Sequence, residues 1–168
     1  MWKRIRKRLQ APPFDEARRG ASVAFEGRRV ARPRSDEPDE VWGAIYRSLD
    51  RSRSMQDWMD VERDIFYAGT FYYYTLNDGL DWCYAHIDQG EHEPTEAALV
   101  RLGAADAADA LREVRFWNEA NEDAPDHEVS KYMARSRELE PQCGADDGSL
   151  SRKILAYADA NYPWRSDD

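Results

Sequence analysis

The sequence predicts an all-α fold, a compact multi-helix bundle carrying a basic, partly disordered N-terminal arm. Three observations lead there. Apolar residues recur at three- and four-residue spacing through residues 36–168. No period-two alternation of any length appears in that stretch. Prolines, glycines and acidic first turns divide it into segments of helix length. An apolar content of 42% is enough to build a core. A charged content of 34% with a mean hydropathy of -0.87 predicts a wet surface. No run approaches the ~18 apolar residues of a membrane span.

The chain divides into a basic arm, residues 1–35, and an acidic body, residues 36–168. The arm holds 11 Lys and Arg against 3 Asp and Glu, a net of +8, whereas the body holds 13 against 30, a net of -17. Such polarisation along one chain points to charged partners or to an intramolecular contact. In the segment Met1–Leu9, Trp2, Ile5 and Leu9 would form a narrow apolar stripe between basic flanks on a helix that Pro12-Pro13 ends. This segment has the positive charge of a signal peptide but no apolar stretch after it, so export by that route is not expected. Cys83 and Cys143 are too few for a disulfide framework, and a reducing cytoplasm is the expected home. From Ala21 to Arg34 the chain is arginine-rich. It is either a small hairpin turning at Glu26-Gly27 or disordered, and disorder is favoured because a lone two-stranded ribbon is marginal in water.

The body is expected to open at Ser35-Asp36-Glu37-Pro38, followed by Val41, Trp42, Ile45, Tyr46 and Leu49 on one helical face. Ser54 is a second start, with Met55, Trp58, Val61 and Ile65 along the next face. The aromatic-rich stretch Phe71–His86 is interrupted by Asn77-Asp78-Gly79, which predicts two helices meeting at that break. After Gln89-Gly90, a helix starts at Pro94-Thr95-Glu96 and stops at Gly103. Ala104–Ala120 is alanine-rich, a good helix former, with Ala107, Leu111 and Val114 inward. Asp126–Leu139 reads as a helix, Cys143–Gly148 as a loop, and Ser149–Asn161 as the last helix.

Two stretches carry a family resemblance. Gly69-Thr70-Phe71-Tyr72-Tyr73-Tyr74-Thr75-Leu76-Asn77 sets an Asn six positions after the first of a run of aromatics. Ala98-Leu99-Val100-Arg101-Leu102-Gly103-Ala104 continues into Ala107-Ala108 and Leu111. Together with Leu155, Tyr157 and Asn161 near the end, the pattern is similar to the DNA mimic protein 19-like domain family, a group of bacterial all-helical domains. The resemblance spans roughly Asp36–Asn161, with Gly69, Phe71, Asn77 and Gly103 as the family's structural motif positions. Where the family carries Asn-Gly-Gly before the first aromatic, this chain has Ala68-Gly69-Thr70. The resemblance implies an acidic protein whose carboxylates stand in for DNA phosphates before a basic partner.

Two acid rows suit that role on spacing alone, since side chains at i, i+3 and i+4 are neighbours on a helix. They are Asp57, Asp60 and Asp64, and Asp106, Asp109 and Glu113. Glu119, Glu122, Asp123 and Asp126 extend the second row. An ordinary solvated face is the plain alternative for either row taken singly. A body net of -17 brings self-repulsion beyond what solubility requires. Adaptation to high salt would predict acids along the whole chain, yet the arm has few. Of the run Phe71–Tyr74, not all can face inward, so Tyr72 or Tyr73 is expected at the surface as a partner anchor.

Other chemistries are weaker. Cys83, His86 and His92 are metal-ligand types, but no recognised zinc spacing is present, and Cys83 fits better as a small buried residue. No nucleophile elbow, phosphate loop or metalloprotease helix appears. The sequence therefore assigns no catalytic residue, metal or cofactor. It predicts a non-enzymatic interaction protein that binds a basic protein, a DNA-binding regulator or nuclease, with no direct nucleic-acid binding by the body. A toxin-neutralising immunity protein and a hydrolase built on Cys83–His92 are the alternatives. For the arm, docking on the acidic body of its own or a second copy in a homodimer stands beside weak contact with an anionic membrane and nucleic-acid binding.

Overall fold

The computed structural model describes residues 30–49, 55–121 and 125–165. Among these run seven α-helices: α1 (Pro38–Ser48), α2 (Asp60–Asp78), α3 (Leu80–His86), α4 (His92–Arg101), α5 (Ala105–Ala120), α6 (Asp126–Cys143) and α7 (Ser149–Asn161). Single 3-10 turns at Met55–Asp57 and Gln89–Glu91 lead into α2 and α4. The fold is all-α, and pairing of extended backbone among the described residues is confined to one isolated bridge, Ala31 with Arg165. No helix among them is long and apolar enough to cross a membrane. The expected Met1–Leu9 helix and the Glu26-Gly27 turn lie outside the described residues.

Helix α2 is the hub, packing against α1, α3, α4, α6 and α7. Its buried positions, Val61, Asp64, Ile65, Ala68, Gly69, Phe71, Tyr72 and Thr75, wrap round more than one face. Gly69 is what lets α1 come close. A Cβ there would sit 2.8 Å from Trp42 Cζ3 and 3.1 Å from Tyr46 Cδ2. The Trp42 ring in turn meets Tyr72 edge-on at 5.8 Å. Trp42 Nε1–H donates to Ser151 Oγ at 2.9 Å, the Ser151 hydroxyl donates to Asp39, and Tyr72 O–H donates to Asp39 Oδ2 at 3.1 Å. One short polar chain therefore fastens α1, α2 and α7.

Several boundaries differ from the sequence expectation. Helix α2 starts at Asp60 and not after Ser54, because Met59 is extended and Trp58 turns inward to meet Phe66 edge-on at 5.3 Å. Glu62 Oε2 accepts the Met59 N–H at 2.8 Å, closing the true start. The α2–α3 break falls where expected, at Gly79, whose φ of +88° is open to glycine at little cost. Glu140 Oε1 accepts the Leu80 N–H there at 3.2 Å. Helix α4 begins two residues before Pro94 and ends in a Schellman turn, Ala104 N–H to Leu99 O at 2.8 Å and Gly103 N–H to Val100 O at 3.0 Å. Helix α6 runs past Leu139 to Cys143, with Pro141 accommodated in its last turn.

The described chain begins already docked. Val30 N–H donates to Tyr162 Oη at 3.2 Å, Arg165 N–H donates to Val30 O at 3.1 Å, and Arg32 forks onto Asp159 at 2.7 and 3.0 Å. Val30 and Arg32, on the arm side of the expected boundary at residue 35, thus lie against the end of α7.

At the start of α4, His92 is buried, stacked on Tyr84 at 4.4 Å and bonded to the Tyr84 carbonyl at 3.0 Å. Burial, with a smaller push from Arg115, lowers its pKa below the usual histidine value. The folded state therefore favours the neutral ring, and the unfolded chain binds the extra proton first. His92's contribution to stability is complete above about pH 6.5 and is lost as pH falls from there toward the depressed folded value. Denaturant melts at pH 7.5 and 5.5 should show His92→Phe losing less stability on acidification than the parent. For Gly69→Ala, helix propensity alone favours the alanine by about 1 kcal/mol. Overpacking against Trp42 costs about 1–3 kcal/mol. Net destabilisation in urea melts is the expected outcome, whereas a gain would show that α1 yields freely.

Candidate partner-binding surface

The structure separates the two predicted acid rows. In the first, Asp57 lies in the 3-10 turn ahead of α2, not on the helix with Asp60 and Asp64. Asp60 is 88% exposed and pairs with Arg63 one turn on. Asp64 corrects the sequence expectation of an outward carboxylate. Its side chain is 2% exposed, and it takes Arg101 Nη2 at 2.5 Å, Arg101 Nε at 2.8 Å and the Tyr157 hydroxyl at 2.6 Å. Asp64 follows Val61 by three residues and precedes Ala68 by four, so it shares their inward stripe. Burial first and the Asp64 bond second push the Tyr157 phenol up to about 12. The three residues tie α2, α4 and α7 together. They also line a groove of about 670 Å³ with Asp60, Arg63 and Tyr67, in which two arginines balance two aspartates.

The second row is a surface feature. Asp106, Asp109 and Glu113 are all exposed along α5, with axial steps of roughly 4.5 and 6 Å. Phe116, 54% exposed, continues the row one turn further. The Arg115 guanidinium lies 4.7 Å from the Phe116 ring centroid. Beside them is a shallow, mainly apolar depression of about 560 Å³ lined by Asp109, Arg112, Glu113, Phe116, Trp117, Ala120 and Asn121. Trp117 is braced from below by stacking on Tyr132 of α6 at 4.0 Å.

Arginines of this face are shared among more acids than they can neutralise. Arg112 bonds Asp109 and Glu96, Arg115 bonds Glu96 at 2.7 Å and lies near Glu93 and Glu119, and Arg135 of α6 bridges Glu113 and Glu138. Three guanidinium groups thus meet six carboxylates, a deficit of three, and Asp106 adds a seventh acid with no ion-pair partner among the described residues. Glu96 is the buried member, and its bond holds the Arg115 guanidinium above the ordinary arginine value. The other five, Glu93, Asp109, Glu113, Glu119 and Glu138, are exposed. Of the expected extension of the row, Glu119 is present on this face, whereas Glu122, Asp123 and the Asp126 side chain lie outside the described residues.

The aromatic anchors divide as well. Tyr72 is buried at 8% exposure and spent on Asp39, which corrects its place in the partner-binding set, whereas Tyr73 is 60% exposed. Tyr73 is the surface member of the aromatic run, with Leu76 and Trp82 also exposed. The motif positions are structural. Gly69 admits Trp42, Phe71 is fully buried, Gly103 closes α4, and Asn77 donates to the Tyr73 carbonyl at 2.7 Å in the last turn of α2. Phe116 was missed by the sequence reading. Its signal was there, an aromatic seven residues after Asp109 on the outward stripe of a helix whose inward stripe was already assigned.

Cys83 and the two histidines point apart. The Cys83 thiol is buried, donates to the Phe71 carbonyl at 3.6 Å, and is pushed up to about 12 by burial. His86 stacks on Tyr74 at 4.6 Å, and His92 is held by Tyr84. No group of three or more His, Cys, Asp or Glu among the described residues is arranged to hold a metal. Comparison of the chain with models of known protein families, with curated proteins and with solved structures finds no match.

Asp64 and Asp60 predict opposite outcomes. Removing Arg101, as Arg101→Met, strands the buried carboxylate and should cost about 3 kcal/mol in urea melts, the low end for breaking a buried pair. Asp60→Asn, losing an exposed pair, should stay within about 1 kcal/mol of the parent.

Proposed function

We propose that this chain is a non-enzymatic interaction protein that docks a basic protein on the outward face of α5. One observation carries the reading: Asp106, Asp109 and Glu113 lead to an exposed Phe116 beside an apolar depression, on a face with more carboxylates than arginines. Charge of one sign steers a partner of the other and fixes its register, while an aromatic anchor in a desolvated spot supplies affinity. The pairs Asp109–Arg112 and Glu113–Arg135 do not oppose this. Exposed ion pairs are worth about 0–1 kcal/mol, so an incoming lysine or arginine can replace the internal partner. The row is sparser than a DNA strand, which carries a charge about every 3.4 Å along the axis. It favours a basic protein surface over a full replica of the duplex. That the partner is a DNA-binding regulator or nuclease rests on the family resemblance.

The test is capture by the full chain and by two variants, with salt-gradient elution and added duplex DNA as competitor. The triple reversal Asp106→Lys, Asp109→Lys, Glu113→Lys should abolish capture of a basic protein that the parent holds. Phe116→Ala should weaken it about tenfold or more. Thermal melts of both variants should stay near the parent's, because none of these side chains is in the core. Undiminished capture by the triple variant would refute this face, and failure of DNA to compete would remove mimicry while leaving the docking role.

A further inference from the structure

We propose that the groove among α2, α4 and α7 binds a small zwitterion, a free α-amino acid with an apolar side chain. The groove shares no lining residue with the depression beside α5, so this site stands apart from the docking face.

Asp64 is an expensive way to join three helices. Apolar residues of similar volume in place of a buried ion pair are often as stabilising or more so. What the pair provides beyond stability is an arginine held in one position. Asp64 Oδ1 takes Arg101 Nη2, and Asp64 Oδ2 takes both Arg101 Nε and the Tyr157 hydroxyl. The Arg101 Nη1 edge is left without a hydrogen bond among the described residues, on a side chain that is 52% exposed and lines the groove. A guanidinium ordinarily loses rotamer freedom when it captures a ligand. Here Asp64 has removed that freedom already, so a carboxylate reaching Nη1 meets a preformed partner.

The opposite charge stands one helical turn away. Asp60 lines the same groove, is exposed, and precedes Asp64 by four residues, about 6 Å along the axis. Its partner Arg63 is held independently, since Nη1 donates to the Trp58 carbonyl at 2.7 Å and the Met55 carbonyl at 3.3 Å. Asp60 can therefore turn to an incoming ammonium at little expense, its exposed pair being worth about 0–1 kcal/mol. Asn161, its amide nitrogen donating to the Tyr157 carbonyl at 2.8 Å, adds a neutral acceptor to the lining.

Charge balance narrows the ligand further. A bare anion would meet Asp60, and a bare cation would meet Arg63 and Arg101. A molecule with both charges a few ångströms apart satisfies each side at once. The Tyr67 ring and Pro94 supply apolar lining, and a groove of about 670 Å³ leaves room for an aliphatic or aromatic side chain. Few placed polar groups with apolar walls are the usual make-up of a small-molecule site.

The experiment titrates the full chain with L-leucine, L-methionine and L-phenylalanine, following amide signals. At least one should give saturable shifts around Asp60, Arg101 and Tyr157, with a dissociation constant of about 1 mM or tighter. The outward positions of α5 should stay unmoved. N-acetyl-L-leucine lacks the ammonium and L-leucinamide lacks the carboxylate, so each should bind at least about tenfold more weakly than L-leucine. In Asp60→Asn, L-leucine should weaken about tenfold while N-acetyl-L-leucine is unchanged, a split that a merely structural Asp60 would not produce. No saturable shift with any of the three amino acids would overturn the proposal. So would equal affinity for L-leucine and its two blocked forms, undiminished L-leucine binding by Asp60→Asn, or shifts with inorganic phosphate alone.

Discussion

The carboxylate of Asp64 sits where a hydrophobic residue would be expected, on the inward stripe of the helix that most of the others pack against. A buried charge is tolerated only when it is paired and hydrogen-bonded. Arg101 supplies the charge from α4, and Tyr157 supplies a further donor from α7. The positions of α4 and α7 against α2 are therefore set by hydrogen-bond geometry as well as by packing. The Asp39–Ser151–Trp42 chain fixes α1 on α7 by the same means, with Tyr72 drawn in from α2. Two polar clamps thus hold three helices, α1, α4 and α7, around α2, and Gly69 lets α1 come close.

In a chain this acidic, such clamps make a sorting rule. Carboxylates that reach the interior, Asp64 and Glu96, are each met by arginines in short, multidentate contacts. Those left outside share whatever cations remain, and on α5 these are too few. Arg112 and Arg115 lean toward the buried Glu96, which leaves Asp106 and Glu119 less fully compensated.

How much of this was legible from residues alone depended on the kind of signal. Helix existence was readable because alanine-rich runs, acidic first turns and the breaks at Gly79 and Gly103 act locally. The start of α2 was not, because Met55 and Trp58 continue the apolar period although Trp58 is buried from a turn and not from the helix. The end of α6 was obscured by Pro141, which a last helical turn can hold. For the site, spacing placed Asp106, Asp109 and Glu113 on the face opposite the inward stripe of Ala107, Leu111 and Val114. Asp57, Asp60 and Asp64 have the same spacing and a different fate. What separates the rows is a tertiary fact, the arrival of Arg101 and Tyr157 from segments 37 and 93 residues away. The Tyr72 and Tyr73 pair shows the same limit, since it is the arrival of Trp42 and Asp39 from α1 that covers the Tyr72 ring.

The contrast between the two rows also bears on what kind of binding each can support. An exposed pair such as Glu113–Arg135 is held weakly, screened by salt and exchanged without leaving a buried charge behind. The Asp64–Arg101 pair cannot be exchanged in that way, because withdrawing Arg101 strands a carboxylate that water scarcely reaches. A surface meant to trade its internal cations for those of another segment must therefore be built from exposed pairs on a rigid backing. Helix α5 has that construction. Its inward stripe of Ala107, Leu111 and Val114 is fully packed, its far end is tied to α6 through Asn118 and Tyr132, and its outward charges remain free to change partners. Rigidity beneath and exchange above are compatible because different residues of one helix carry each.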